Sequence, residues 1–101
     1  MAFTGNESEI ITLTEATDWT AAYRAANPGA IKAHYFGKNQ LMKVLNQENC
    51  AGTRAYYAVN SDGPQLILVG VDFAGKDMTT GIILDKALPC PSTCDPTSAL
   101  Y

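Results

Sequence analysis

The sequence predicts an α+β fold: two helices packed on an antiparallel sheet with a C-terminal three-stranded meander. Three observations point there. Apolar residues recur at spacings of three and four up to about residue 47, which is the helical period. After Gly52 the period becomes two, that of a strand. Helix-type segments come first and strand-type segments follow, without the βαβ alternation of a parallel sheet.

Residues 1–8 are polar with one Gly and read as a flexible tail. A single domain then covers 9–101. Glu9 to Leu13 reads as a short strand, from Ile10, Ile11, Leu13 and the β-branched Thr12. The first helix is expected near 14–26, capped by Thr12 or Thr14. Thr12 with Glu15 has capping-box spacing, which would start the helix earlier and shorten the strand. Ala16, Trp19, Tyr23 and Ala26, with Ala22 beside them, line one apolar face. Pro28 disfavours helical geometry at Asn27 and ends the helix. Ala30 to Phe36 reads as a short extended segment, broken by Gly37. The second helix is expected near 39–47, capped by Asn39 and stopped by the Asn49 to Gly52 stretch. Leu41, Val44 and Leu45 form its buried stripe, with Met42 at the margin.

The meander is expected at 53–60, 65–72 and 78–85. Ser61-Asp62-Gly63-Pro64 is a turn signal between the first two strands. In Gln65 to Asp72, Leu66 and Leu68 point one way while Ile67, Val69 and Val71 point the other. Apolar residues on both sides predict a central strand covered on both faces. Trp19, Tyr23, Leu41, Val44, Leu45, Leu68 and Val69 are the expected core. From about residue 86 the chain is a Pro/Cys-rich tail with Pro89, Pro91 and Pro96. Proline cannot donate to a ladder, so regular structure should stop near Lys86. Leu88, Leu100 and Tyr101 are available to pack back onto the domain.

Composition narrows the function classes. The chain has 101 residues, 47% hydrophobic and 17% charged, which suits a folded domain and not a disordered one. Seven Lys and Arg against ten Asp and Glu leave a net charge of −3. With its basic residues scattered, the chain lacks the stripe that nucleic acid or an anionic membrane requires. There is no apolar run long enough to span a bilayer. The first ten residues lack a basic start and an apolar stretch, so the expected location is cytoplasmic. Three cysteines, an odd number, favour free thiols in a reducing compartment.

Cys90 and Cys94 form the most specific chemical pattern. Together with His34 and Cys50 they would supply the four nitrogen and sulfur ligands that zinc favours. Only one close ligand pair is present, however, where structural zinc sites usually offer two. A redox pair needs an activated thiol, commonly at a helix N-terminus in Cys-x-x-Cys. Here the spacer has three residues and prolines flank Cys90. That pattern suits a packed turn whose thiols are inert or joined locally. His34 and Cys50 could act as base and nucleophile, but no nucleophile elbow or Gly-rich phosphate loop accompanies them. Asp72 and Asp77 flank a turn where a cation is conceivable, although turn formation by Asp explains them better. Arg54 and Tyr56 share a face of the first meander strand. Both residue types are enriched at interface hot spots; the plainer reading pairs Arg54 with an acid at the sheet edge.

Four phrases occur together: Ala33-His34-Tyr35-Phe36-Gly37-Lys38, Gly52-Thr53-Arg54-Ala55-Tyr56-Tyr57, Leu68-Val69-Gly70-Val71-Asp72, and Pro89-Cys90-Pro91-Ser92-Thr93-Cys94 before Leu100. On these the chain resembles a group of small uncharacterised bacterial proteins with a helix–hairpin core and a Cys-Pro-x-x-Cys tail. The resemblance covers most of residues 10–101 and implies no activity, cofactor or catalytic residue.

The functional expectation is a small non-enzymatic domain without a cofactor. It would act through self-association or a protein partner, with Arg54 and Tyr56 as interaction residues. The alternative is a thiol-based redox protein or metal-binding module using Cys90 and Cys94.

Overall fold

The computed structural model describes residues 2–101. It is an α+β chain of two helices and two antiparallel sheets, in the order α1 (Leu13–Ala26), β1 (Ala33–Tyr35), α2 (Lys38–Leu45), β2 (Cys50–Asn60), β3 (Gly63–Asp72), β4 (Ile83–Leu84) and β5 (Leu88–Cys90). The chain divides into two compact units. The first holds residues 2–7 and Phe36–Ala87; the second holds Ser8–Tyr35 and Leu88–Tyr101.

In the first unit the sheet order is β2-β3-β4, so β3 is central and β2 is an edge. β2 and β3 form a long hairpin closed by Ser61 and Asp62 between the paired Asn60 and Gly63. Gly63 has φ of 107°, a conformation that side chains disfavour, and the Asn60 side chain accepts from the Asp62 amide at 2.8 Å. Residues directly opposite in an antiparallel pair share a face. Arg54 and Tyr56 therefore lie with Val69 and Ile67, while Ala55 and Tyr57 lie with Leu68 and Leu66. Leu68, Val69 and Val71 are buried, so both faces of β3 are covered where these residues lie. α2 packs against β2 and β3 and places Val44, 0% exposed, in the core.

Two departures in this unit have local causes. α2 starts at Lys38 behind Gly37, which has no side chain to cap it, so Asn39 lies inside the first turn and is not the cap. The expected third strand over 78–85 shrinks to Ile83–Leu84, paired with Leu68 and Val69. Upstream of it, Asp77 bridges Val71 and the Met78 amide reaches the Gly70 carbonyl. Residues 2–7, read as a tail, are tied in: the Phe3 amide donates to the Phe73 carbonyl at 2.7 Å, and the Phe3 ring lies where a Cβ on Gly75 would touch it.

Gln47 pins this unit together. Its amide nitrogen donates to the Val44 carbonyl at 2.9 Å, satisfying one of the orphan carbonyls at the end of α2. Its oxygen accepts from the Ile82 amide at 2.9 Å. Gly70 and Gly81 leave room for it. A Cβ on Gly70 would come within 2.8 Å of Gln47 Nε2, and one on Gly81 would collide with Gln47 Oε1.

The second unit contains α1 and a two-stranded ribbon in which Ala33, His34 and Tyr35 pair with Cys90, Pro89 and Leu88. α1 begins with a complete capping box between Thr12 and Glu15. That box fixes the helix start at Leu13, and Glu9 to Thr12 form no strand. Asn27 caps the other end, its amide bonding the Tyr23 carbonyl before Pro28. The expected burial of Trp19 and Tyr23 is overturned: they are 58% and 48% exposed. The partly buried positions are Ala16, Thr17, Thr20 and Arg24. The inward stripe is thus turned by one residue, about 100°, from the stripe that hydropathy picks out. Leu45 in α2 is likewise exposed. Regular structure also continues past Lys86. β5 accommodates Pro89 because each strand of a two-stranded ribbon is an edge, where a missing donor breaks no ladder.

Candidate functional site

The expected interaction residues Arg54 and Tyr56 converge on Asp77. Asp77 leaves the turn after β3, opposite Val71. Its Oδ1 accepts from Arg54 Nη1 at 2.5 Å, the ion pair expected from the plainer reading of Arg54. Its Oδ2 accepts from the Tyr56 hydroxyl. The Arg54 guanidinium also stands 5.9 Å from the centre of the Phe3 ring, within the range where the ring face attracts a cation. The Tyr56 hydroxyl, helped by Arg54, holds the Asp77 carboxyl below the usual carboxylate range against the opposing effect of burial. The same Asp77 bond raises the Tyr56 phenol, because it favours the protonated form, and raises Arg54.

Both acids of the Asp72–Asp77 turn are engaged by donors of the protein. Asp77 is held by Arg54 and Tyr56. Asp72 Oδ1 accepts from the amides of Ala74 at 2.9 Å and Lys76 at 3.0 Å, so it shapes the turn.

Cys90 and Cys94 are joined by a disulfide, with Cα atoms 4.9 Å apart. Cys90 is buried and Cys94 half-buried. Cys50 is a free thiol in the first unit, bonded to the Gly52 carbonyl at 3.1 Å. His34 lies in β1 of the second unit, opposite Pro89. Among the described residues, no group of three or more His, Cys, Asp or Glu could hold a metal. Cys90 and Cys94 are bonded to each other, so neither has a thiolate to donate while the disulfide stands.

The free face of the hairpin was less visible in the sequence. Tyr57 is 94% and Val59 78% exposed. Both lie on β2, the edge strand of eleven residues, and no proline, lysine or acid interrupts Cys50–Asn60. Its one charged residue, Arg54, is the one paired with Asp77.

The second unit has a cleft of about 190 Å³ lined by Trp19, Thr20, Tyr23, Arg24, Lys32 and Leu100. The two cations meet the C-terminal residues. Arg24 Nη1 donates to the Leu100 carbonyl at 2.8 Å and Lys32 Nζ to the Tyr101 carbonyl at 3.3 Å. Lys32 Nζ also stands 3.9 Å from the centre of the Tyr101 ring.

Compared with known proteins, the chain matches no family model, no curated protein and no solved structure. No helix among the described residues is long and apolar enough to cross a membrane.

Proposed function

We propose that this chain is a small association module that pairs with a second copy of itself through the free edge of β2. One observation carries the reading: a long edge strand with Tyr57 and Val59 exposed and none of the usual protection. Natural edge strands are blunted by lysine, proline, bulges or shortness, because unpaired N–H and C=O groups recruit other strands. Over Thr53–Asn60 this edge has none of these; its irregularity falls between Cys50 and Gly52. Antiparallel pairing about a twofold axis is self-complementary. A register centred on Tyr57 sets Ala55 against Val59 of the second copy and keeps the two Arg54 side chains apart. Arg54 and Tyr56 then contribute by bracing the opposite face through Asp77. Native mass spectrometry and light scattering across a concentration series test this. The wild type should be dimeric, and Tyr57→Lys with Val59→Lys should be monomeric with an unchanged circular dichroism spectrum. A wild type that stays monomeric at millimolar concentration would refute the reading, as would a dimer indifferent to both lysines.

The Cys90–Cys94 disulfide favours a second reading, a dithiol/disulfide couple. A dithiol reductant would attack at Cys94, the less buried sulfur, forming a mixed disulfide and releasing the Cys90 thiolate. The reductant's second thiol would then release Cys94 and become the disulfide. Thiol alkylation in a series of dithiothreitol ratios measures the couple. Resistance to reduction at every ratio that leaves the fold intact would remove this reading.

A further inference from the structure

We propose that the α1 cleft of the second unit binds a small aromatic carboxylate. This site is independent of the β2 edge. Trp19 and Tyr23 stand one turn apart on α1 and leave about half of their surfaces in water. Arg24, next along the helix, and Lys32 bring two cations to the same cleft. The ion pair Arg54–Asp77 involves neither of them. Two cations beside two half-exposed aromatic side chains complement an anion attached to a ring.

The donors are positioned and only partly used. Guanidinium has five N–H donors and ammonium three. The Leu100 carbonyl takes one from Arg24 and the Tyr101 carbonyl one from Lys32. These bonds hold both cations at the rim and leave further N–H groups for a carboxylate, which guanidinium can grip with two parallel bonds. Thr20 adds no donor, because its hydroxyl is turned back to the carbonyls of Ala16 and Thr17. Size sets the class of ligand. Sites for drug-sized molecules run to about 300–1,000 Å³; about 190 Å³ admits one ring with one acidic group. The ring would stack on Trp19 and Tyr23 while Arg24 and Lys32 take the carboxylate.

The chain has one tryptophan, Trp19, so its fluorescence reports this cleft alone. The full chain is titrated with benzoate, acetate and benzylamine. Benzoate should change the emission saturably; acetate, which lacks the ring, and benzylamine, which lacks the anion, should not. Arg24→Gln should raise the benzoate Kd about tenfold or more, the effect of losing hydrogen bonds to a charged group. Lys32→Gln, on another segment, should weaken binding in the same direction and decides the matter if Arg24→Gln does not fold. Absence of saturation by benzoate up to tens of millimolar would overturn the proposal. So would acetate binding as tightly as benzoate, or an unchanged Kd in folded cation variants.

Discussion

Gly81→Ala is expected to destabilise the first unit in one background and stabilise it in another, and Gln47 decides which. In the wild type a Cβ on Gly81 collides with Gln47 Oε1. To admit it, the Gln47 side chain must leave the position from which it bonds the Ile82 amide and the Val44 carbonyl. A typical hydrogen bond contributes about 0.5–1.5 kcal/mol net, so losing both costs about 1–3 kcal/mol. Gly81 does not occupy the left-handed region, so alanine there is otherwise free of backbone strain. A Gly→Ala change at such a position gains about 0.4–1 kcal/mol by restricting the unfolded chain.

In wild type the loss outweighs the gain, and Gly81→Ala should cost up to about 2.6 kcal/mol. In a Gln47→Ala background the bonds are already gone and the obstacle with them. Gly81→Ala should then stabilise by about 0.4–1 kcal/mol. Urea unfolding of the four proteins of the cycle, followed by circular dichroism, measures the coupling. Contacting residues show interaction energies of about 0.5–3 kcal/mol, whereas independent sites add to within about 0.5 kcal/mol. Additive costs, or Gly81→Ala destabilising equally in both backgrounds, would show that Gln47 does not pin the unit as described.

Two further outcomes are expected. Replacing both Cys90 and Cys94 with Ser should leave the fold in place: the closed loop spans a sequence separation of only 4, for which loop entropy gives about 2 kcal/mol, and the melting shift should be the same with and without chelator. Asp77 should stabilise the fold at neutral pH and stop doing so in acid. Its folded-state value is depressed, so its contribution is complete above the ordinary value of about 3.9 and is lost as pH falls through the folded value. Melts of wild type and Asp77→Asn should therefore differ at pH 6 and draw together as the pH falls below the ordinary carboxyl value; Glu7 and Asp95, also held low by hydrogen bonds, keep part of the acid limb in both proteins.

What the sequence made legible was what local chemistry decides. The Thr12–Glu15 spacing became a complete capping box. The two-sided apolar run of β3 became a central strand with Leu68 and Val69 both buried. The turn signal at 61–64 became the hairpin turn. Hydropathy failed on α1 because Trp19 and Tyr23 are large and obvious, while the partly buried stripe is made of Ala16, Thr17, Thr20 and Arg24. Arginine can bury its stem and keep its head in water, which no hydropathy count records. The third strand was overestimated because Met78 to Leu84 has strand-like residues but is partly fastened by side-chain and turn bonds. Of the candidate site residues, Arg54 and Tyr56 were singled out by residue type and by their shared strand face. Their partner Asp77 was assigned to its turn, since 23 positions separate it from Arg54. Trp19, Arg24, Lys32 and Leu100 meet only through the fold, and no local spacing links them.

The cysteine pair gains its meaning from what it anchors. Six residues lie between Cys94 and Tyr101, and in that stretch no strand or helix fixes the path. Asp95 bonds the Thr97 amide and hydroxyl and Ser98 the Leu100 amide, which are turn contacts within the segment. The segment is held to the rest of its unit at Cys94, by the disulfide to β5, and near its end, by Arg24 and Lys32. β5 is in turn paired to β1. Opening the disulfide removes the covalent tie and leaves the Thr93 amide bond to the Pro89 carbonyl at 2.7 Å as the anchor there, so the stretch is less restrained and the entropy lost in seating Leu100 against Arg24 rises. Leu100 lines the α1 cleft. The Cys90→Ser, Cys94→Ser variant should then keep its fold yet bind benzoate more weakly than wild type, with Arg24 less restrained at the rim. Equal affinity would mean that the Arg24 and Lys32 bonds alone seat the segment, and that the disulfide serves the ribbon only.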